Sequence, residues 1–203
     1  MKPYYLENTL EVGLDEAGRG PLFGRVYIGA AIIPPDDTFK QSFIRDSKKL
    51  SERKRLIAYD FIKENAIDYT SFYYDEKVID TRNIYKATYE GMHEALNKLL
   101  VRPDHILVDG TYFPIYSIDN MVIPYTCVEG GDNKYLSIAA ASIIAKVERD
   151  KYIKELCDAN PDLDEKYGLL SNKGYGTSKH IEGIKTHGIS NWHRKTFGIC
   201  KNY

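Results

Sequence analysis

Four acidic residues stand at positions from which they could bind divalent cations. Asp15 and Glu16 are adjacent and precede a Gly-rich turn, Asp109 ends the apolar stretch 105–108, and Asp132 stands just before a long Ala-rich segment. Two carboxylates about 4 Å apart repel each other by about 4 kcal/mol at an effective dielectric constant near 20. A cluster of four would therefore require raised pKa values or bound cations.

Oxygen ligands without an accompanying His or Cys favour Mg²⁺ or Mn²⁺ over zinc. Such ions keep positions open for water and phosphate oxygens, which is the arrangement of two-metal phosphodiester hydrolysis. Each acid also has a structural explanation of its own. Asp15 and Glu16 suit a charged loop, Asp109 with Gly110 suits a hairpin turn, and Asp132 suits a helix cap.

The elements around these acids predict how they are positioned. Alternating strands and helices predict an α/β domain with a mixed sheet, and strand ends at one sheet edge are where such folds gather ligand sites. Strands are predicted at residues 11–15, 26–33, 69–74, 105–108 and 121–128. Helices are predicted after Ser51, with apolar spacing over 56–66, and over residues 84–99, 136–157 and 178–186.

Composition describes an ordinary globular chain of one domain. It has 203 residues, 43% of them hydrophobic and 28% charged, without a repeat or a low-complexity linker. No apolar run approaches the roughly 18 residues of a membrane span, and the first ten residues lack a secretory signal. Three cysteines without metal spacing are typical of reduced thiols, so we expect an intracellular, cytoplasmic protein.

The net charge of −1 conceals an uneven distribution. Residues 166–203 carry seven basic side chains and one acid, which gives +6 and leaves −7 for residues 1–165. A solvated charged surface explains this distribution by itself. The same basic segment also holds Tyr175 and Trp192, a combination that suits a phosphate backbone with sugars beside it.

Eight ordered sequence blocks resemble the ribonuclease HII family, the type 2 ribonucleases H. The opening GLDEAGRGPLFG of residues 13–24 is close to the family signature DEAGRGP. The other matching blocks span almost the whole chain and comprise 46–50 (DSKKL), Asn83 with Ala87–Thr88, 108–110 (VDG), 131–132 (GD), 137–150 (SIAAASIIAKVERD), 172–177 (NKGYGT) with His180, and 193–197 (HRKTF).

The resemblance implies a ribonuclease H-like mixed β-sheet flanked by helices, with a C-terminal helical extension. It implies one catalytic domain over residues 1–203, with a core of about 1–160 and a basic substrate-binding segment of about 161–203. The implied metal ligands and catalytic acids are Asp15, Glu16, Asp109 and Asp132. The implied substrate-binding residues are Gly18, Arg19 and Gly20, whose backbone reads the ribose 2′-OH, and Tyr175, which packs on the following deoxyribose.

Phosphate contacts are predicted from position. Ser142 and Lys146 lie on one stripe of the long helix with Arg149, and Lys48 is a further candidate. A solvated helix face explains the same stripe. His180 and His193 are expected to be structural or close to phosphate, because hard cations prefer oxygen.

By resemblance the chain is an endoribonuclease that uses two Mg²⁺ or Mn²⁺ ions. It would cut the RNA strand of RNA/DNA hybrids and incise 5′ of ribonucleotides embedded in duplex DNA, leaving 3′-OH and 5′-phosphate, in ribonucleotide removal and primer processing. We expect a monomer with no membrane partner. Alternatives are a non-catalytic hybrid-binding subunit, or a different nuclease of the same fold.

Arg25 departs from the usual family sequence, and the Gly-Arg-Gly turn distinguishes the chain from ribonuclease HIII. The family usually has Pro where this chain has Arg25, which we expect to alter the start of the second strand and a surface charge. Ribonuclease HIII is disfavoured, because its signature lacks the Gly-Arg-Gly turn and it carries an additional N-terminal domain.

Overall fold

The computed structural model describes residues 1–34, 39, 44 and 50–203. Its main sheet has five strands in the spatial order β3-β2-β1-β4-β7. The strands are β1 (Glu11–Ala17), β2 (Val26–Ile32), β3 (Asp68–Tyr74), β4 (His105–Asp109) and β7 (Tyr125–Val128), with a separate hairpin of β5 (Ser117–Ile118) and β6 (Met121–Val122). The first three strands are antiparallel, whereas β4 runs parallel to both β1 and β7, so the predicted mixed sheet is confirmed.

Helices cover both faces of the sheet. The α-helices are α1 (Glu52–Asn65), α2 (Glu76–Arg82), α3 (Ile84–Asn97), α4 (Leu136–Ala159), α5 (Asp162–Tyr167), α6 (Leu169–Asn172) and α7 (Ser178–His187). Val12, Leu14 and Val108 face α3 in one buried cluster. The alternate residues of the same strands face α4, because successive strand side chains point to opposite sides. Leu107, for example, packs with Ile138 of α4.

Two glycines let α4 lie directly on the sheet. A Cβ on Gly13 would lie 2.1 Å from the backbone carbon of Ser137, and one on Gly29 would lie 2.1 Å from the carbonyl oxygen of Ala141. No side chain fits in either place, so the helix backbone contacts the strands. This close approach places the α4 face next to Asp15, which pairs with Gly29 across β1 and β2.

The C-terminal segment packs on the core through its own apolar cluster. Phe23 and Tyr27 join Leu163, Leu169 and Ile184 there, and all five are buried. Asp80 of α2 also accepts hydrogen bonds from the backbone amides of residues 195 and 196. The boundary near residue 160 between core and substrate-binding segment stays a prediction.

The structure confirms most predicted elements and corrects one. Ser51 caps α1, as expected. The strand predicted over residues 121–128 is instead divided into β6 and β7 at Pro124, which has no amide hydrogen for a sheet ladder. The short helices α2, α5 and α6 and the strand β5 were not predicted.

The described residues contain neither a membrane-spanning helix nor a disulfide bond. No helix among them is both long and apolar enough to serve as a membrane span. All three cysteines are described, and each is a free thiol, Cys157 and Cys200 being buried.

Candidate active site

Asp15 and Asp109 lie side by side at the same edge of the sheet. β1 and β4 are parallel, and Leu14 pairs with Val108, so each acid is the next residue along its strand. Both acids face α4, since Leu14 and Val108 face α3. Adjacent strands are roughly 4.8 Å apart, so the two carboxylates are close enough for Asp109 to act electrostatically on Asp15.

Burial raises the pKa of Asp15 well above its usual range, and the neighbouring Glu16 and Asp109 carboxylates raise it further. Asp15 is only 4% exposed. Hydrogen bonds from the Ser142 hydroxyl and the Glu16 amide partly oppose this shift. The site therefore holds negative charge in a position where a cation would stabilise it.

Glu16 follows Asp15 in β1, one residue before the strand ends, and its side chain pairs with Arg19. The Glu16 Oε1 atom accepts a hydrogen bond from Arg19 Nη1 at 3.0 Å. The Arg19 guanidinium also lies over the ring of Tyr85, 4.9 Å from its centroid. The side chain of Arg19 therefore turns toward the acids, while its backbone remains part of the Gly-rich turn.

Asp132 reaches this edge through its neighbour in the chain. The Gly131 amide donates to Asp109 Oδ1 at 2.8 Å, which ties the short 3₁₀-helix Gly131–Asn133 to the end of β4. Asp132 itself is 4% exposed, and its Oδ1 accepts from Asn133 Nδ2 at 2.9 Å. The helix-cap explanation is wrong, because α4 begins at Leu136 with Tyr135 as its N-cap.

The donor chemistry at this edge suits a hard divalent ion. Among the described residues, no group of three or more His, Cys, Asp or Glu side chains forms a ready-made cage for a metal. Asp15, Glu16 and Asp109 are nevertheless close enough to interact electrostatically, and their carboxylates offer oxygen ligands only. This arrangement fits an ion that takes part of its coordination from water and phosphate.

A groove of about 440 Å³ opens beside the acids and contains most of the predicted substrate-binding residues. Its walls come from the end of β1, the turn that follows, α1, α4 and the loop after α6. The lining residues are Glu16, Ala17, Gly18, Arg19, Gly20, Arg55, Ser142, Lys146, Arg149 and Tyr175. The structure thus brings the predicted Gly18–Gly20 turn and Tyr175 to one groove.

The predicted phosphate contacts have different surroundings. Ser142 is buried and donates its hydroxyl to Asp15, so its observed partner is an acid. Lys146 pairs with Asp150 at 2.7 Å, and burial lowers the pKa of its ammonium group despite that carboxylate. Lys48 lies outside the described residues.

Sequence reasoning missed the part played by two arginines of this groove. Arg55 bridges from α1 to Asp150 at 3.2 Å. Arg149 is 1% exposed, and its Nε and Nη2 atoms donate to the carbonyl oxygens of Arg25 and Phe23, both at 3.2 Å. Within the described part of the chain, Arg149 Nη1 has no hydrogen-bond partner. The helical stripe of Ser142, Lys146 and Arg149 was the available signal.

Arg25 has a different role from the expected change in surface charge. Its guanidinium lies between two aromatic rings, 3.9 Å from the centroid of Tyr73 and 4.3 Å from that of Tyr152. The side chain therefore connects β3 to α4 at the start of β2.

Comparisons with known proteins agree with this architecture. The sequence model described as Ribonuclease HII matches residues 12–200. Relatives of that name from Parabacteroides distasonis and Phocaeicola vulgatus are 47% and 42% identical over 98% of this chain, covering 95% and 94% of their own lengths. The crystal structure of ribonuclease H2 from Pyrococcus horikoshii OT3 superposes with a TM-score of 0.76 at 28% identity, covering 95% of each chain.

Proposed function

The chain belongs to the ribonuclease HII family, and on that basis we propose that it incises duplex DNA on the 5′ side of embedded ribonucleotides. Members of this family are endoribonucleases, so hydrolysis of RNA phosphodiester bonds in RNA/DNA hybrids is the activity of this chain. The proposed products carry 3′-OH and 5′-phosphate ends. The proposed cellular roles are ribonucleotide removal and primer processing, performed by a monomer.

Asp15, Glu16, Asp109 and Asp132 are the proposed metal ligands. The observation that carries the proposal is the neighbouring position of Asp15 and Asp109 beside the groove: each directly follows one residue of the Leu14–Val108 pair of adjacent parallel strands, and the Asp109 carboxylate raises the pKa of Asp15. Bound Mg²⁺ or Mn²⁺ ions would activate water and stabilise charge on the departing 3′-oxygen. Ser142 and the Gly131 amide would hold Asp15 and Asp109 in place, since each donates a hydrogen bond to one of these acids.

The Gly18–Gly20 turn and Tyr175 are the proposed readers of the sugars. Glycines let backbone amides approach a ribose 2′-OH closely, and that hydroxyl distinguishes RNA from DNA. Tyr175 is 47% exposed at the same groove, where its ring would pack on the next sugar. A deoxyribose would fit against the ring better than a ribose, so the pair would select an RNA-to-DNA step.

Lys146 and Ser142, together with Lys48, are the proposed phosphate contacts. Lys146 would have to exchange its partner Asp150 for a phosphate oxygen, since the two side chains are paired. The basic residues of 166–203 would supply the longer-range attraction to the duplex. Bound divalent ions would turn the acidic edge into an attractive place for the scissile phosphate.

The decisive test uses an end-labelled DNA duplex with one ribonucleotide, incubated with Mg²⁺, with Mn²⁺ or with EDTA. We expect a metal-dependent cut on the 5′ side of the ribonucleotide and no cut in the all-DNA duplex. Cleavage elsewhere would favour a different nuclease specificity. Salt-sensitive binding without any cut would favour the non-catalytic hybrid-binding alternative.

A further inference from the structure

Two carbonyl oxygens of the Gly18–Gly20 turn, those of Gly18 and Arg19, point toward one buried arginine. Arg194 is 0% exposed, although it lies in the basic C-terminal segment. Its Nη2 donates to Gly18 O at 2.6 Å, and its Nη1 donates to Arg19 O at 3.0 Å. The same guanidinium donates to Pro21 O at 2.9 Å and to Gly24 O at 2.8 Å.

This fan of hydrogen bonds determines where the amides of the turn point. In a trans peptide unit the N–H points opposite to the C=O of the preceding residue, and the chain has no cis peptide among its described residues. With the Gly18 and Arg19 carbonyls bound by Arg194, the amides of Arg19 and Gly20 point away from it. Neither amide donates a hydrogen bond to any described residue.

A second interaction starts from the residue next to Arg194. His193 and His180 are both buried, and their Nε2 atoms lie 3.0 Å apart. The Ser190 amide donates to His193 Nδ1 at 2.9 Å, so the proton of a neutral His193 is on Nε2. His193 therefore donates to His180 Nε2, and His180 Nδ1 donates to the carbonyl oxygen of Tyr175 at 3.0 Å.

The hydrogen bonds of Arg194 and those that connect His193 through His180 to Tyr175 end on opposite sides of the groove opening. A Cβ on Gly20 would lie 3.6 Å from Cε1 of Tyr175, so the turn and the ring are neighbours. We propose that the dipeptide His193–Arg194 is the positioning element of sugar recognition: Arg194 presents the Arg19 and Gly20 amides, and His193, through His180, fixes Tyr175. This inference rests on the proposed sugar-reading function of the groove.

Binding of three duplexes of one sequence tests the proposed roles of Arg194 and His193 separately. The first is all DNA, the second has one ribonucleotide, and the third has a second ribonucleotide directly after it. The ratio of Kd between the first two measures recognition of the 2′-OH, and the ratio between the last two measures preference at the next sugar. Measurement in the Asp109→Asn background is designed to prevent turnover.

The two positioning residues should affect different ratios. Arg194→Lys keeps the charge but cannot make all four hydrogen bonds of the guanidinium. The Kd ratio that measures recognition of the 2′-OH should therefore fall roughly fivefold, toward a value of one, whereas the next-sugar ratio should be retained. His193→Ala should lower the next-sugar ratio by a similar factor and retain the first. His193→Gln should restore part of that preference, because its amide NH₂ can donate to His180. Arg102→Lys, an exposed position, is the matched control.

Amide hydrogen exchange of the unmodified protein provides a readout that needs no variant. The Arg19 and Gly20 amides should exchange rapidly in the free protein and become protected by the one-ribonucleotide duplex, with EDTA present to prevent cleavage, but not by the all-DNA duplex. Protection of these amides in the free protein would overturn the proposed role of Arg194.

The outcomes separate this inference from the function on which it rests. Variants that lower both ratios equally, or that weaken binding with both ratios intact, would show a merely structural role for the dipeptide. An Asp109→Asn protein that carries no further substitution and shows no preference for the ribonucleotide would instead overturn the sugar-reading function itself. Thermal unfolding of each variant confirms that the compared proteins are folded.

Discussion

Gly20 and Tyr175 face each other across the opening of the groove, because a methyl group on Gly20 would lie 3.6 Å from Cε1 of Tyr175. That separation is an ordinary van der Waals contact, so an alanine would fit without displacing the ring. On the proposed sugar-reading function, however, it would occupy space that a sugar needs at the opening between the turn and the ring.

Gly20→Ala is therefore expected to separate folding from recognition. The free energy of unfolding should change by no more than about 0.5 kcal/mol. Cleavage at a single ribonucleotide should fall at least roughly tenfold, the effect of about 1.4 kcal/mol on a rate. Chemical denaturation and a cleavage assay check the two halves of the prediction.

Gly18→Ala is the contrasting variant at the other end of the turn. Gly18 has a φ of +97°, and a Cβ there would lie 2.2 Å from Arg149 Nε. We expect a loss of about 1–3 kcal/mol in the free energy of unfolding, because both the backbone and Arg149 must shift. A Gly18→Ala protein as stable as the parent would contradict the observed packing of the turn.

Asp109→Asn should abolish cleavage while leaving binding of an RNA/DNA hybrid largely intact. The substitution removes a charged oxygen from the proposed metal site but retains an acceptor for the Gly131 amide. Gel-shift titration and a cleavage assay in Mg²⁺ measure the two properties. Asp119→Asn, in an exposed turn with positive φ that asparagine tolerates, is the matched control. Mg²⁺-dependent cutting by Asp109→Asn would refute the metal assignment.

Divalent cations should stabilise the protein more at pH 8 than at pH 5. Burial and the neighbouring acids raise the pKa of Asp15 above its ordinary 3.8. The folded state therefore binds more protons than the unfolded state above that value, and stability falls as the pH rises through the folded pKa. A cation replaces the proton, and at 100 times its Kd it adds about 2.7 kcal/mol to the free energy of unfolding.

Thermal unfolding with and without Mg²⁺ at both pH values measures this effect. Asp15→Asn should be more stable than the parent in EDTA at pH 8, because the repulsion is gone. It should also gain less from Mg²⁺. An equal gain in the parent and in Asp15→Asn would show that the cation binds elsewhere.

The buried histidine pair should make the protein sensitive to acid. Burial, and then the neighbouring His180, lower the pKa of His193 from 6.5 to about 3. The unfolded state binds more protons between these values, so stability is lost as the pH falls from about 6.5 toward 3. His193→Gln should reduce this slope, as measured by denaturation at several pH values. The exposed His187→Gln variant should leave the slope unchanged.

Arg25→Lys should destabilise the fold by about 1 kcal/mol. A planar guanidinium stacks between Tyr73 and Tyr152, whereas an ammonium group cannot contact both rings in this way. Chemical denaturation of Arg25→Lys beside Arg102→Lys measures the difference. Equal stability of the two variants would show that stacking of Arg25 between the rings does not stabilise the fold.

The local sequence determined the elements and the identity of the acids. Short apolar stretches ending at turn residues predicted β1, β2 and β4, and the cap at Ser51 with helical spacing predicted α1, because these signals depend on neighbours in the chain. The ends of β1 and β4 then indicated where Asp15 and Asp109 would stand. Short elements such as α6 were missed because four residues contain too little periodicity to identify a helix.

Only the tertiary structure decided what these residues contact. The bond from Arg194 to Gly18 joins positions 176 residues apart, and no spacing in the sequence indicates it. In the sequence Arg194 looks like one more cation of a basic, solvated tail. In the structure Arg194 is buried and donates to backbone carbonyls, because a buried charge must find hydrogen-bond partners wherever the fold places them. The same reason explains why the hydroxyl of the buried Ser142, a predicted phosphate contact, donates to Asp15 in this structure.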